Sequence, residues 1–400
     1  MPGYRDLARD GEFRALFAAH VVSVAGDQFA RVALAVHVYD RTASAGLTAL
    51  TYALTFLPDL VGGPLLSGLA DRFARRDVMV AADLVRAVLL LVMAVPGLPL
   101  WVLAAVLVLV QLAGAPHGAA RAALLPHVLP DERYPLGMAA LSTVTQAAQV
   151  LGFVAGGALV AWWGPAPVLV ADSVTFAVSA LLVSAHVLRR AVPEHPHVRA
   201  WSSDLLGGAR LVWRARRLRA LVALACVSGF YIVAEALAAP YAAQLGAGAS
   251  AVGLILAAHA AGAVAGMAVV ARIPHHRQLA AMPWLAVASC AVLLPVLLRP
   301  GLGWSLALIA LSGVASAYQL LANTTFVREV PDAARGQAFG LAVTALRVSQ
   351  GVGVGLAGLL AERWAAHQVI AAAGLAGVLA ACAAGWSWRQ AVAAPARGTP

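Results

Sequence analysis

Three carboxylates of this 400-residue chain stand where carboxylates are rare: Asp27, Asp59 and Glu235 each interrupt a long, mostly apolar run. An ionisable group at mid-bilayer costs about 2.5–3.5 kcal/mol on insertion scales, so it persists where it is paired or used. The guanidinium groups of Arg31, Arg86 and Arg347 fall inside apolar runs too. Such a set can bind and release protons or cations, and can make and break ion pairs.

Asp27 and Arg31 are four residues apart and share one helix face. Asp27 is therefore a candidate protonation or cation site restrained by Arg31, or else one half of a structural pair. Glu235 has Tyr231 one turn earlier and no basic residue within a turn. A desolvated carboxylate without a local cation favours its protonated form, which makes Glu235 the first candidate for proton coupling. Asp59 and Arg347 each fall near the middle of an apolar run. Asp83 and Arg86, three apart, are expected to form a structural pair. Asp172 and His259 read as packed or solvated polar groups, and Gln111, Gln319 and Asn323 as hydrogen-bonding residues between helices or toward cargo.

The elements that hold these residues follow from composition. Hydrophobic residues make up 62% of the chain and charged residues 12%. A soluble domain has about half and a quarter, and this excess would face water in large patches. Spanning helices need about 20 apolar residues each, so the total matches about twelve of them. Apolar runs bounded by Arg, Pro and Gly mark twelve segments, at 13–38, 44–70, 77–96, 99–123, 134–163, 165–187, 217–242, 249–272, 279–298, 302–327, 335–362 and 365–388. The fold class expected is an all-α membrane protein of twelve helices in two six-helix halves.

Net charge is +10 and all 28 basic residues are Arg. Assigned to alternate sides of the twelve segments, 22 fall on one side and three on the other, with three inside spans. The positive-inside rule then places both termini in the cytoplasm. Asp6, Asp10 and Glu12 precede the first run, which is unlike a cleavable signal, so the first helix is expected to remain in the mature protein. Residues 188–216 form the longest gap. They separate an N-terminal half (1–187) from a C-terminal half (217–400), and Leu205, Leu206, Leu211, Val212, Trp213 and Leu218 among arginines suggest an amphipathic helix on the membrane surface, with a solvated linker as the alternative. The halves echo each other at an offset of 201: Leu129-Pro130-Asp131 recurs as Val330-Pro331-Asp332, and Gln149, Gly152 and Gly157 match Gln350, Gly353 and Gly358. Repeated halves around a central site are a transporter architecture.

The loop between the second and third segments reads Gly68-Leu69-Ala70-Asp71-Arg72-Phe73-Ala74-Arg75-Arg76. It resembles the signature loop of the major facilitator superfamily, with Ala74 in place of the second glycine. The resemblance extends over nearly the whole chain, through Phe13-Arg14, Gly26-Asp27-Gln28, Asp83 to Ala87, Arg121 to Pro126, and Arg335-Gly336-Gln337. These stretches look like the branch of macrolide-efflux and enterobactin-exporter-like proteins. The resemblance implies alternating access in a bacterial cytoplasmic membrane, driven by a proton gradient with no other cofactor. It implies export of an amphipathic small molecule such as a drug, macrolide or siderophore. It also implies a latch formed by Gly68, Asp71, Arg72, Arg75 and Arg76. It further implies an ion pair between Asp59 and Arg347 that breaks and reforms during a conformational cycle; Arg347 has two alternatives, pairing with Glu235 or facing an anionic cargo. Two departures stand out. Phe153 replaces the proline of the kinked antiporter stretch, and the loop Arg272 to Arg277 lacks the acidic residue of its first-half counterpart.

An importer, a uniporter or a non-transporting membrane sensor are the alternatives. Cys226, Cys290 and Cys382 show no metal or disulfide spacing, and no metal is expected. An enzyme is disfavoured because no nucleophile elbow, zinc-protease motif or P-loop is present. The arginines are dispersed over loops, which disfavours nucleic acid as a partner. The expected partners are the small-molecule cargo and the lipid bilayer, with the protein a monomer.

Overall fold

A computed structural model describes residues 7, 9–56, 58, 62, 66, 69–129, 133–190, 210–331 and 335–393. Among these residues the secondary structure is helical throughout. The main helices are α1 (Gly11–Thr42), α2 (Ala45–Ala53), α3 (Arg75–Met93), α4 (Leu100–Val128), α5 (Tyr134–Trp163), α6 (Pro165–His186), α7 (Arg216–Ala236), α8 (Ala249–Val270), α9 (His275–Ala291), α10 (Leu302–Glu329), α11 (Arg335–Ala361) and α12 (Ala366–Ala393).

Ten helices among the described residues are long and apolar enough to cross a membrane. The second apolar run lies partly outside the described residues, and α3 carries Arg75, Arg76, Asp77, Asp83 and Arg86 within 19 residues.

Helix boundaries follow local chemistry. Asp10 caps α1 by accepting the Phe13 amide at 3.0 Å. Gly164, at φ +80°, breaks the chain between α5 and α6, and Pro165 opens α6, where its missing N–H leaves no bond unmade. Large apolar side chains on the outer faces stay exposed, among them Leu181, Leu359 and Leu379, as lipid-facing positions require. Trp101, Trp162, Trp304 and Trp364 are exposed at or next to helix ends, the position of interfacial aromatic belts.

The chain divides into two compact units. Unit 1 is Met1–Ala43, Leu54–Val198 and Gly248–Ala257; unit 2 is Ser44–Ala53, Arg199–Ala247 and Ala258–Pro400. The α2 helix and the start of α8 thus group with helices distant in sequence. In unit 1, α1 packs on α5 and α6, and α3 on α4 and α6. One end of that bundle is closed by Phe13, Leu16, Met79, Leu124, Leu129 and Val183. In unit 2, α11 packs on α2, and α9 and α7 pack on α12. The 191–209 stretch of the gap, with Leu205 and Leu206, lies outside the described residues, while Arg210 to Trp213 are helical.

The glycines of the internal repeat make corresponding contacts in the two units. Gly152 of α5 abuts Ala25 and Gln28 of α1, and Gly353 of α11 abuts Gly229 of α7. Gly157 of α5 meets Gly253 of α8, and Gly358 of α11 meets Gly46 and Ala49 of α2. Lipid gives no hydrophobic drive for helices to associate, so close backbone approach at small residues supplies the contact energy.

Candidate functional site: a buried carboxylate beside an uncharged cavity

The α7 helix is irregular where it passes the centre of unit 2. Short helices at Ser228–Tyr231 and Val233–Ala236 follow Arg216–Cys226. The amide of Phe230 bonds Val227 O at 3.1 Å and that of Glu235 bonds Ile232 O at 3.0 Å, each spanning three residues instead of four. Tightened turns of this kind mark hinges and functional sites. Gly229 lies within this stretch, where its missing side chain lets α7 meet the backbone of α11 at Ser349.

Glu235 sits at the end of the irregular stretch with two side chains on its carboxylate. Tyr52 of α2 donates its hydroxyl to Oε2 at 2.5 Å. His259 of α8 brings Nε2 to 3.6 Å from Oε1. The His259 ring stacks on Tyr231, with centroids 5.4 Å apart. Glu235 and His259 are largely buried, at 12% and 13% side-chain exposure. A carboxylate, an imidazole and a phenol in one enclosed cluster can accept, hold and pass a proton without contact with bulk water.

Tyr231 joins this cluster to a cavity of about 330 Å³. Its hydroxyl accepts from Gln319 Nε2 at 3.4 Å, and the same nitrogen donates to Tyr318 Oη at 3.0 Å and Ala225 O at 2.8 Å. Ser228, Tyr231, Gln319, Asn323, Phe326 and Phe339 line the cavity, and none of its lining residues is acidic or basic. The Ser228 hydroxyl is buried without a hydrogen-bond partner in the protein. The walls are mostly apolar, with the rings of Tyr231, Phe326 and Phe339 and a few hydrogen-bonding groups, as small-molecule pockets are.

The other expected site residues fall elsewhere. Asp27 is bonded by Arg86 Nη2 at 2.6 Å, so its ion-pair partner comes from α3 and is not Arg31. That removes Arg86 from the expected pair with Asp83, whose carboxylate instead accepts Ser179 Oγ at 2.6 Å and lies 3.5 Å from His117. Helix geometry allowed both local pairs, but tertiary packing supplied nearer partners. Arg347 donates to Gln350 Oε1 at 3.4 Å, and Gln350 lines the cavity. Asp59, Gly68 and the side chain of Asp71 lie outside the described residues, and with them the Asp59–Arg347 pair.

The arginines of the signature loop serve as helix ties within unit 1. Arg75 Nη1 donates to Ala123 O at 2.8 Å, and Arg76 Nη2 donates to Ser184 O. Both acceptors lie in or near the last turns of α4 and α6, where cations complement the helix dipole. Arg72 is exposed. Two members of the site, Tyr52 and the paired role of His259, escaped the sequence reading. Tyr52 carried one signal, a lone phenol in an apolar run, but nothing local ties it to a residue 183 positions away.

A family model described as Major Facilitator Superfamily matches residues 16–298. The chain belongs to the Major Facilitator Superfamily. Among curated relatives, it is 31% identical over 126 residues to Macrolide efflux protein A of Streptococcus pyogenes, covering 30% of this chain and 31% of that protein. It is 30% identical over 234 residues to Multidrug efflux pump Tap of Mycobacterium tuberculosis, covering 54% of each. The matches therefore span about half the length of these relatives or less. Among solved structures, the nucleoside transporter NupG has a similar fold, with a TM-score of 0.75 at 14% identity over 94% of this chain and 99% of that one.

Proposed function

We propose that the protein is a proton-driven exporter of an amphipathic small molecule, in a bacterial cytoplasmic membrane with both termini inside. The observation that carries this reading is the largely buried Glu235–Tyr52–His259 cluster, joined through Tyr231 to an uncharged, mostly apolar cavity. Glu235 is the coupling residue. When it takes a proton, its hold on Tyr52 and His259 weakens; Tyr231 then shifts on His259 and alters the wall that cargo touches. Tyr52 lies on α2, so release of this bond frees that helix from Glu235 for the rocking step of alternating access. The similarity to proteins named as efflux pumps supports the outward direction, and the excess of cytoplasmic arginines supports the orientation. Cargo binds through apolar contact and neutral hydrogen bonds.

Everted membrane vesicles test this directly. With a panel of amphipathic compounds, cargo should accumulate when a proton gradient is imposed and drain when a protonophore collapses it. Accumulation indifferent to the gradient would contradict the proposal.

A further inference from the structure

Unit 1 holds a second set of ionisable side chains, separate from the Glu235 cluster. Asp172 of α6 is 1% exposed. Its Oδ1 accepts the Thr175 hydroxyl at 3.0 Å, while Oδ2 is buried with no hydrogen-bond partner in the protein. It packs directly on the backbone of α1: a Cβ at Gly26 would collide with Asp172 Oδ1 and Thr175 Oγ1. The next residue is Asp27, whose side chain is 33% exposed and is bonded to Arg86 at 2.6 Å. Arg86 is itself buried, and its guanidinium lies 3.9 Å above the ring of Phe176, one turn beyond Asp172.

The charged groups packed beside Asp172 are Asp27, next to Gly26 in sequence, and Arg86, which is bonded to Asp27 and lies over Phe176. Further along α3, Asp83 accepts Ser179 Oγ of α6 and lies 3.5 Å from His117 of α4. The α5 helix, also packed on α1, has Tyr134 as its one ionisable residue. Two carboxylates thus stand beside one guanidinium, which is bonded to Asp27. With both ionised, the set would carry a net negative charge and an ionised oxygen sealed from water without a partner. An unpartnered neutral hydroxyl forfeits one hydrogen bond, whereas an unpartnered buried charge forfeits the hydration of an ion, which is the larger loss.

We propose that Asp27, Arg86 and Asp172 form a neutral triad that stores one proton on Asp172. Asp27 is the exit. When Arg86 turns from Asp27 to Asp172, the O–H bond on Asp172 breaks and the proton passes to the Asp27 carboxylate. The charge of the triad does not change, and the proton then leaves from the partly exposed Asp27 to water. Unit 1 thereby has a proton-carrying site of its own, whether or not Glu235 couples transport.

Infrared spectroscopy of the full-length protein in lipid nanodiscs at neutral pH reads this protonation without any transport assay. In a Glu235→Gln background, adding Asp172→Asn should remove one carboxyl's intensity from the carboxylic-acid C=O band. Adding Asp27→Asn instead should remove the same intensity, because Arg86 is left with Asp172 as its counter-ion. An unchanged band in the Asp172→Asn protein would overturn the proposal, as would a band retained in a folded Asp27→Asn protein. Replacing a neutral acid by a neutral amide keeps the charge count, so Asp172→Asn should melt within a few degrees of its parent. Collapse of that variant would also overturn the proposal. The background substitution keeps the result independent of Glu235 and its coupling role.

Discussion

The Tyr52 hydroxyl meets Glu235 Oε2 at 2.5 Å, joining a residue of the second apolar run to one of the seventh. Tyr52 is 7% exposed, so its phenol has little recourse to water once the bond is lost. Tyr52→Phe should lower stability by about 1 kcal/mol, the range of interhelical hydrogen bonds in membranes, and should slow transport more than it slows binding. Thermal unfolding in nanodiscs, with cargo binding and transport measured on the same protein, checks both. Equal losses in binding and transport would leave the tyrosine a packing role alone.

Gly353 offers a controlled test of the repeat. A methyl group there would strike the Gly229 carbonyl, whereas one on Gly355, two residues on, would meet nothing within 4 Å. Gly353→Ala should destabilise the protein by about 1–3 kcal/mol, as overpacking does. Gly355→Ala should be neutral or slightly stabilising, since alanine favours the helix. Melting temperatures of the two variants decide the matter, and similar values would refute the close contact.

Beyond the end of α11, the Glu362 carboxylate accepts the Ser44 hydroxyl at 2.5 Å and the Gly46 amide at 2.7 Å, tying down the start of α2. The Ser44 and Gly46 donors favour its ionised form and hold its pKa below the usual glutamate value. A depressed pKa gives stability that is present above the unfolded-state pKa of about 4.3. That stability is lost as pH falls through the lower folded value. Wild type should therefore melt above Glu362→Gln at pH 7, and the gap should close as pH falls below about 4. A gap of constant size across that window would show that the charge of Glu362 contributes nothing.

The cavity wall predicts a selective effect on affinity. Phe326→Ala should raise the KM for cargo by about tenfold, equivalent to about 1.4 kcal/mol, by removing aromatic contact area. Trp101→Ala, at an exposed residue that does not line the cavity, should leave KM unchanged. Cargo concentration curves for both variants make the comparison, and an unchanged KM in Phe326→Ala would exclude this cavity as the binding surface.

Much of the helical architecture was legible because lipid imposes a simple rule: a spanning helix must satisfy its own backbone and present apolar side chains. The runs around α4, α6 and α12 obey that rule plainly. The α3 helix does not, because its face toward α1 and α6 holds Asp83 and Arg86, whose partners lie on other helices. Glu235 was legible for a similar reason, as a carboxylate without a local cation. Its partners were not, because Tyr52 and His259 reach it only through tertiary packing. The Asp27–Arg31 pair illustrates the converse: four-residue spacing permits a contact, but a buried guanidinium from α3 took the place. Asp172 looked like an isolated polar group until the fold set Asp27 and Arg86 beside it.

The central claim is that Glu235 carries the coupled proton. Cargo-driven proton flux in proteoliposomes, for wild type and Glu235→Gln, tests it most directly. Glu235→Gln should lose the flux while still exchanging labelled for unlabelled cargo across the membrane, since exchange needs the cavity but no net proton transfer. A Glu235→Gln protein that moves protons with cargo as wild type does would contradict the account.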